Sequence, residues 1–110
     1  MTEKDLQDAV LELAKRLGWR TAHFRPALTP TGRWVTAVQG DGKGFPDLVL
    51  ARKGVVLFIE LKSDKGRLSV EQKAWYDELP FPHTFVFRPK DWRSSLIESV
   101  LRNPPLAVAA

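Results

Sequence analysis

The most constraining stretch of the chain runs from Gly44 to Lys62. It holds two short β-rich runs, Asp47 to Ala51 and Val55 to Leu61, on either side of a Lys53-Gly54 pair. Glycine supplies the positive φ of a tight hairpin, so the two runs are predicted to fold back on each other. A two-residue loop pairs Arg52 with Val55, and the same register sets Asp47 opposite Glu60. A three-residue loop moves the pairing by one position and still keeps the carboxylates close. Side chains alternate along a strand, so Glu60 and Lys62 point one way and Leu61 the other. Val56, Leu57, Phe58 and Ile59 form an unbroken apolar run, as in a strand buried on both faces.

Two acids and a lysine are thus expected together at one end of an otherwise apolar hairpin. Neighbouring carboxylates repel, and burial makes the repulsion worse. A divalent cation relieves both penalties. Mg²⁺ takes oxygen ligands, commonly one or two carboxylates, and keeps waters for a substrate phosphate. A lysine on the same face suits orienting or deprotonating an attacking water, or stabilising charge on a phosphate. The plain alternative is a surface ion pair between Glu60 and Lys62, which is worth little.

The flanking segments read as helices and further strands. Thr2 to Leu17 is predicted to be a helix, with Leu6, Val10, Leu13, Ala14 and Leu17 on one face, Thr2 as N-cap with Asp5 in its first turn, and Gly18 as the stop. Extended backwards, the apolar stripe reaches Gln7 and Glu3, which places both on the buried side. For Glu3 two readings stand side by side, an acid favoured by the helix dipole and a residue of the metal site. Trp19 to Phe24 reads as a first strand. Residues 25–45 read as a long loop with a short run at Trp34 to Val38. Arg25, Arg33 and Lys43 on it could reach the backbone of a polyanionic partner, with a solvated loop as the equal alternative. After the hairpin, Ser69-Val70-Glu71-Gln72 has capping-box spacing and opens a helix to about Leu79. Gln72, Trp75, Tyr76 and Leu79 share a face, so Gln72 points at the sheet as well as capping the helix. Lys65, Arg67 and Lys73 cluster just past Lys62, where a phosphate would lie. Thr84 to Phe87 reads as the last strand. A final helix opening at Pro89 carries Trp92, Leu96, Ile97, Val100 and Leu101 on its apolar side, and Asn103-Pro104-Pro105 ends it. His23 and His83 have no partner at a zinc-like spacing and read as ordinary strand-end histidines.

Gly44-Phe45-Pro46-Asp47, Glu60-Leu61-Lys62, and then Gly66-Arg67-Leu68-Ser69 with Gln72 resemble the PD-(D/E)xK nucleases. The closer resemblance is to the small standalone VRR-NUC branch, related to Holliday-junction resolvases, and it runs from about Thr2 to Trp92. The order and spacing of the motifs make the likeness specific. It implies an α/β fold, a restriction-endonuclease-like mixed sheet flanked by helices in the order α-β-β-β-α-β-α, formed by a single domain over residues 1–103 with a C-terminal tail at 104–110. It also implies Mg²⁺-dependent endonuclease action on DNA phosphodiesters, with Mn²⁺ as a substitute and a leaning toward branched DNA. In that scheme Asp47, Glu60 and the Leu61 carbonyl hold the metal, and Lys62 positions or activates the water. Gln72 lies beside the active site, and Glu3 from the first helix completes it. A homodimer is expected by likeness to junction-cutting relatives, with Val100 and Leu101 or the 25–45 loop as its surface.

Composition sets outer limits. The chain of 110 residues suits one domain with a modest core, and its 44% hydrophobic content favours folding over disorder. With no cysteine, disulfides and thiolate metal sites are excluded. No apolar run is long enough to cross a bilayer and no signal-peptide pattern is present, so a cytoplasmic location is expected. A net charge of +4 and a pI near 9.7 fit a polyanionic partner such as DNA. Two rival readings remain. One is a non-catalytic nucleic-acid-binding or assembly domain that keeps the fold, against which the intact Asp47, Glu60 and Lys62 set argues. The other is a nuclease subunit that cuts only with a partner.

Overall fold

The computed structural model of the chain describes residues 1–24, 27–28, 30–35 and 40–106. Its centre is a mixed four-stranded sheet in the order β1 (Arg20–His23), β4 (Leu48–Arg52), β5 (Val55–Leu61), β6 (Thr84–Phe87). β1 and β5 run antiparallel to β4, and β6 runs parallel to β5. Between β1 and β4, β2 (Ala27–Leu28) and β3 (Trp34–Val35) pair as a separate two-stranded ribbon. Trp34–Val35, the described part of the expected Trp34 to Val38 run, is therefore a strand outside the main sheet, and residues 36–38 lie outside the described residues.

The β4–β5 hairpin has the two-residue loop. Arg52 pairs with Val55 and Leu48 with Ile59, so one further step sets Asp47 opposite Glu60. Lys53 and Gly54 both take positive φ, 49° and 82°. That is the conformation whose twist matches an antiparallel pair.

Helix α1 (Glu3–Arg16) is closed at its start by a capping box between Thr2 and Asp5, as its sequence predicts. Its stripe of Leu6, Val10 and Ala14 packs on the sheet face formed by Leu48, Leu50, Leu57, Ile59, Leu61 and Phe87. Fully burying such a side chain stabilises by roughly 1.5–3 kcal/mol. Ile97 and Leu101 complete this core. The predicted last helix is broken into α3 (Pro89–Arg93) and α4 (Leu96–Arg102), because Ser95 adopts a left-handed φ of 64°. The break turns Leu96 outward and Ile97 inward. Leu101 is fully buried and Val100 packs half-buried against the same core, so these two do not form the expected dimer surface; the other expected surface, the 25–45 loop, lies partly outside the described residues.

Helix α2 (Val70–Glu78) lies on the opposite sheet face. It meets the strands through Gln72 and Tyr76 and the loop before the hairpin through Trp75, all three half-buried as their shared face predicts. Nine residues of helix cover only part of that face. Hence the expectation that the Val56 to Ile59 run is buried on both faces holds at Leu57 and Ile59, is met only in part at the half-buried Phe58, and fails at Val56, which is 39% exposed. His83 is buried with its Nε2 3.1 Å from the Pro105 carbonyl, an ordinary packing role. Among the described residues no helix is long and apolar enough to cross a membrane.

Candidate active site

Strand order and register bring Asp47 and Glu60 together at the end of the sheet opposite the Lys53-Gly54 turn. Asp47 is fixed by backbone contacts. Its Oδ2 accepts a 2.9 Å hydrogen bond from the Leu61 N–H, and its own carbonyl accepts one of 3.0 Å from the Phe24 N–H. Lys62 extends the β5–β6 ladder by one bond, its N–H donating to the Phe87 carbonyl at 3.1 Å. The strand ends are thereby tied on both sides of Glu60.

Glu60 is only 2% exposed. Its Oε1 accepts a 2.8 Å hydrogen bond from Gln72 Nε2 and lies 4.0 Å from the Lys62 ammonium. Its Oε2 is buried with no hydrogen-bond partner. Burial first, then the neighbouring Asp47, push the Glu60 carboxyl up to about 8, and the Glu3 charge adds in the same direction while Lys62 opposes it. An orphaned oxygen beside a second carboxylate is a hard-oxygen donor pair lacking its counter-charge.

Gln72 performs both roles read from its position, and performs them at once. Its Oε1 accepts from the Ser69 N–H at 2.8 Å to close the capping box, while its Nε2 reaches Glu60. The helix start and the acid pair are thus coupled through one amide. Tyr76, one turn on, donates its hydroxyl to the Phe85 carbonyl; burial foremost, with the Glu60 charge, holds its hydroxyl protonated well above the usual phenol range.

The loop before the hairpin holds α2 in place. Trp75 Nε1 donates to the Asp41 carbonyl at 2.8 Å, and the Phe45 ring meets the Trp75 ring edge-on at 4.9 Å. Gly44 has a φ of 87°, and a Cβ there would lie 2.5 Å from the Glu71 carbonyl carbon and 2.7 Å from the Gln72 nitrogen. Only glycine lets the loop approach this closely. Gly44→Ala is therefore expected to lower stability by about 2–4 kcal/mol, through left-handed strain and overpacking together. Urea denaturation checks this, and an unchanged midpoint would show that the contact is not close.

The remaining expected site residues are placed as follows. Lys65, Arg67 and Lys73 are exposed, and no described carboxylate pairs with them. Lys43 is exposed, with its ammonium 3.3 Å from Glu71. Arg25 lies outside the described residues. Glu3 is exposed, as are all residues before Leu6, so it does not point along the buried stripe as expected; Gln7 is half-buried. Glu3 nevertheless acts electrostatically on Glu60. Among the described residues, no third Asp, Glu, His or Cys joins the acid pair in a metal-holding group. Two carboxylates without a third side-chain ligand suit Mg²⁺, which keeps several of its waters, and not a closed zinc cage.

Asp64 and Arg88 were not singled out from the sequence. Arg88 Nη1 donates to the carbonyls of Ser63 and Gly66 at 2.7 and 2.6 Å, and Asp64 accepts from the Lys90 N–H and from Arg93 at 2.9 and 3.0 Å. Partners more than twenty residues apart leave no local pattern to read.

A mixed sheet flanked by helices, with paired acids and a lysine at adjoining strand ends, defines a restriction-endonuclease-like domain consistent with the PD-(D/E)xK superfamily. The chain belongs to the VRR-NUC domain family, a nuclease domain family whose model matches residues 5–81. No curated protein and no solved structure matches it.

Proposed function

We propose that this domain is a Mg²⁺-dependent endonuclease hydrolysing DNA phosphodiester bonds, with Asp47, Glu60 and the Leu61 carbonyl holding the metal. The observation that carries the reading is the buried Glu60 Oε2, unpartnered beside Asp47. A divalent cation bound there supplies Lewis acidity toward the phosphate and makes an attacking water available at neutral pH. The chain's own groups do the rest. Gln72 fixes the rotamer of Glu60 through its amide. Lys62, largely buried on the same strand face, holds a positive charge where the water and the scissile phosphate meet. Lys65, Arg67, Lys73 and Lys43, with Arg25, supply backbone contacts that do not read sequence. The preference for branched DNA rests on the family resemblance alone.

The test is incubation with linear, nicked and four-way-junction DNA, with Mg²⁺, with Mn²⁺ and with EDTA. Cleavage that requires the metal is expected. Failure to cut any of these substrates with either ion would leave the DNA-binding reading in its place.

Glu3 is the third acid of the proposed site, acting on the cation across solvent. Glu3→Gln is accordingly expected to slow cleavage at limiting Mg²⁺ with little change in thermal stability. A wild-type rate under those conditions removes Glu3 from the site and leaves it as a helix-dipole acid. We also propose that the domain works as a homodimer, with its interface away from the core-packed Val100 and Leu101. Light scattering that gives a monomer with and without DNA removes that proposal.

A further inference from the structure

The turn that follows Lys62 is held far more firmly than its sequence requires. Ser63, Asp64 and Lys65 are exposed, and a short polar connection of this kind ordinarily moves freely on a surface. Here it is tied twice to the start of α3. Arg88, half-buried at the end of β6, donates from one nitrogen to both the Ser63 and the Gly66 carbonyls. Asp64 reaches the other way, accepting from the Lys90 N–H and the Arg93 guanidinium. These two contacts hold its carboxyl below the usual carboxylate range. Gly66 in turn packs on Lys62, since a Cβ there would lie 3.4 Å from the Lys62 Cδ and 3.0 Å from Ser63 Oγ.

This latch has a consequence for charge. It uses the only acid of the turn internally, on Arg93 and a backbone N–H, and it leaves Lys65 and Arg67 with no described carboxylate partner. Their positions along the chain are fixed relative to Lys62, itself pinned by Phe87 and 4.0 Å from Glu60. A flexible basic loop loses part of its binding energy to ordering, whereas a pre-ordered one does not.

We propose that Asp64 and Arg88 are positioning residues that make the Ser63–Arg67 turn a preset clamp for the phosphates beside the scissile bond, gripped by Lys65 and Arg67. The inference rests on the nuclease reading for its ligand, a nucleic-acid backbone. Arg88 lies beyond the residues matched by the family model.

The test turns on a sign. Asp64 is an acid beside a basic cluster, so simple electrostatics predicts that Asp64→Ala tightens DNA binding. The clamp predicts the reverse. Affinity for a fluorescein-labelled 20-base-pair duplex is measured in Ca²⁺ over a series of KCl concentrations, for the whole chain and its variants. Asp64→Ala is expected to bind roughly 3- to 10-fold more weakly at about 100 mM salt, with a log–log salt slope shallower by about 1–2, the loss of one or two phosphate contacts. Arg88→Lys, which keeps the charge but not the grip on two carbonyls, is expected to do the same. Adding either change to the Lys65→Ala/Arg67→Ala double variant is expected to weaken binding little further, because the contacts it would disturb are already gone. Tighter binding by Asp64→Ala, or an Arg88→Lys variant with the wild-type slope, overturns the clamp and leaves the nuclease reading standing. Wild-type protein that binds no DNA at all overturns both.

Discussion

Asp47→Asn and Glu60→Gln are each expected to lower the rate of Mg²⁺-dependent DNA cleavage by at least about 10³-fold while leaving the fold intact. The size follows from what the pair does. Stabilising transition-state charge through a bound cation is worth several kcal/mol, and each 1.4 kcal/mol is about a factor of ten. Either substitution removes one of the pair's two charges, which weakens Mg²⁺ binding and the charge stabilisation the cation would supply. The fold should survive because neither change alters volume. The amide oxygen that Asp47→Asn introduces can still accept from the Leu61 N–H, and the one that Glu60→Gln introduces can still accept from Gln72 Nε2. These are the bonds that Asp47 and Glu60 accept now. A purified Glu60→Gln protein that cuts at the wild-type rate would show that the acid pair is not the reaction centre.

The second large effect is on stability, and its sign is opposite to the usual loss on mutation. Burial and the neighbouring Asp47 push Glu60 up to about 8. A carboxyl raised in the folded state keeps its proton between the unfolded value near 4.5 and about 8, where the unfolded chain has lost it. Folding therefore binds a proton in that window, and stability falls as pH rises through it. The metal-free wild type should lose stability, on the order of a few kcal/mol, between pH 5 and pH 9. Glu60→Gln should flatten that slope, matching wild type near pH 5 and exceeding it at pH 9. Mg²⁺ should restore wild-type stability at pH 9, because the cation takes over the role of the proton, and should do nothing for Glu60→Gln. Thermal melts in EDTA and in Mg²⁺ across this range provide the check. Parallel curves for the two proteins would mean that Glu60 titrates as an ordinary surface acid.

Much of the site was legible because its parts are local. A two-residue turn at Lys53-Gly54 sets one register, and that register brings Asp47 opposite Glu60. The capping box at Ser69 sets the phase of α2, and the phase aims Gln72 at the sheet. The departures arise where no local signal exists. Ser95 takes a left-handed conformation that nothing in Ser94-Ser95 announces, and the helix phase shifts so that Leu96 faces solvent. Glu3 follows the apolar stripe of α1 by spacing, but the first turn runs past the packed core and the acid ends in water. The grip of Arg88 and Asp64 joins segments more than twenty residues apart, so only the folded chain reveals it.

The central claim is that Asp47 and Glu60 exist to hold a divalent cation, and the most direct measurement is to locate one. Crystals soaked in Mn²⁺ give an anomalous signal at the ion. The account predicts a peak within coordination distance of Asp47 and Glu60 and of the Leu61 carbonyl, absent from crystals of Glu60→Gln. A well-ordered, fully ionised pair with no ion between them at saturating Mn²⁺, in protein that still cleaves DNA, would contradict it.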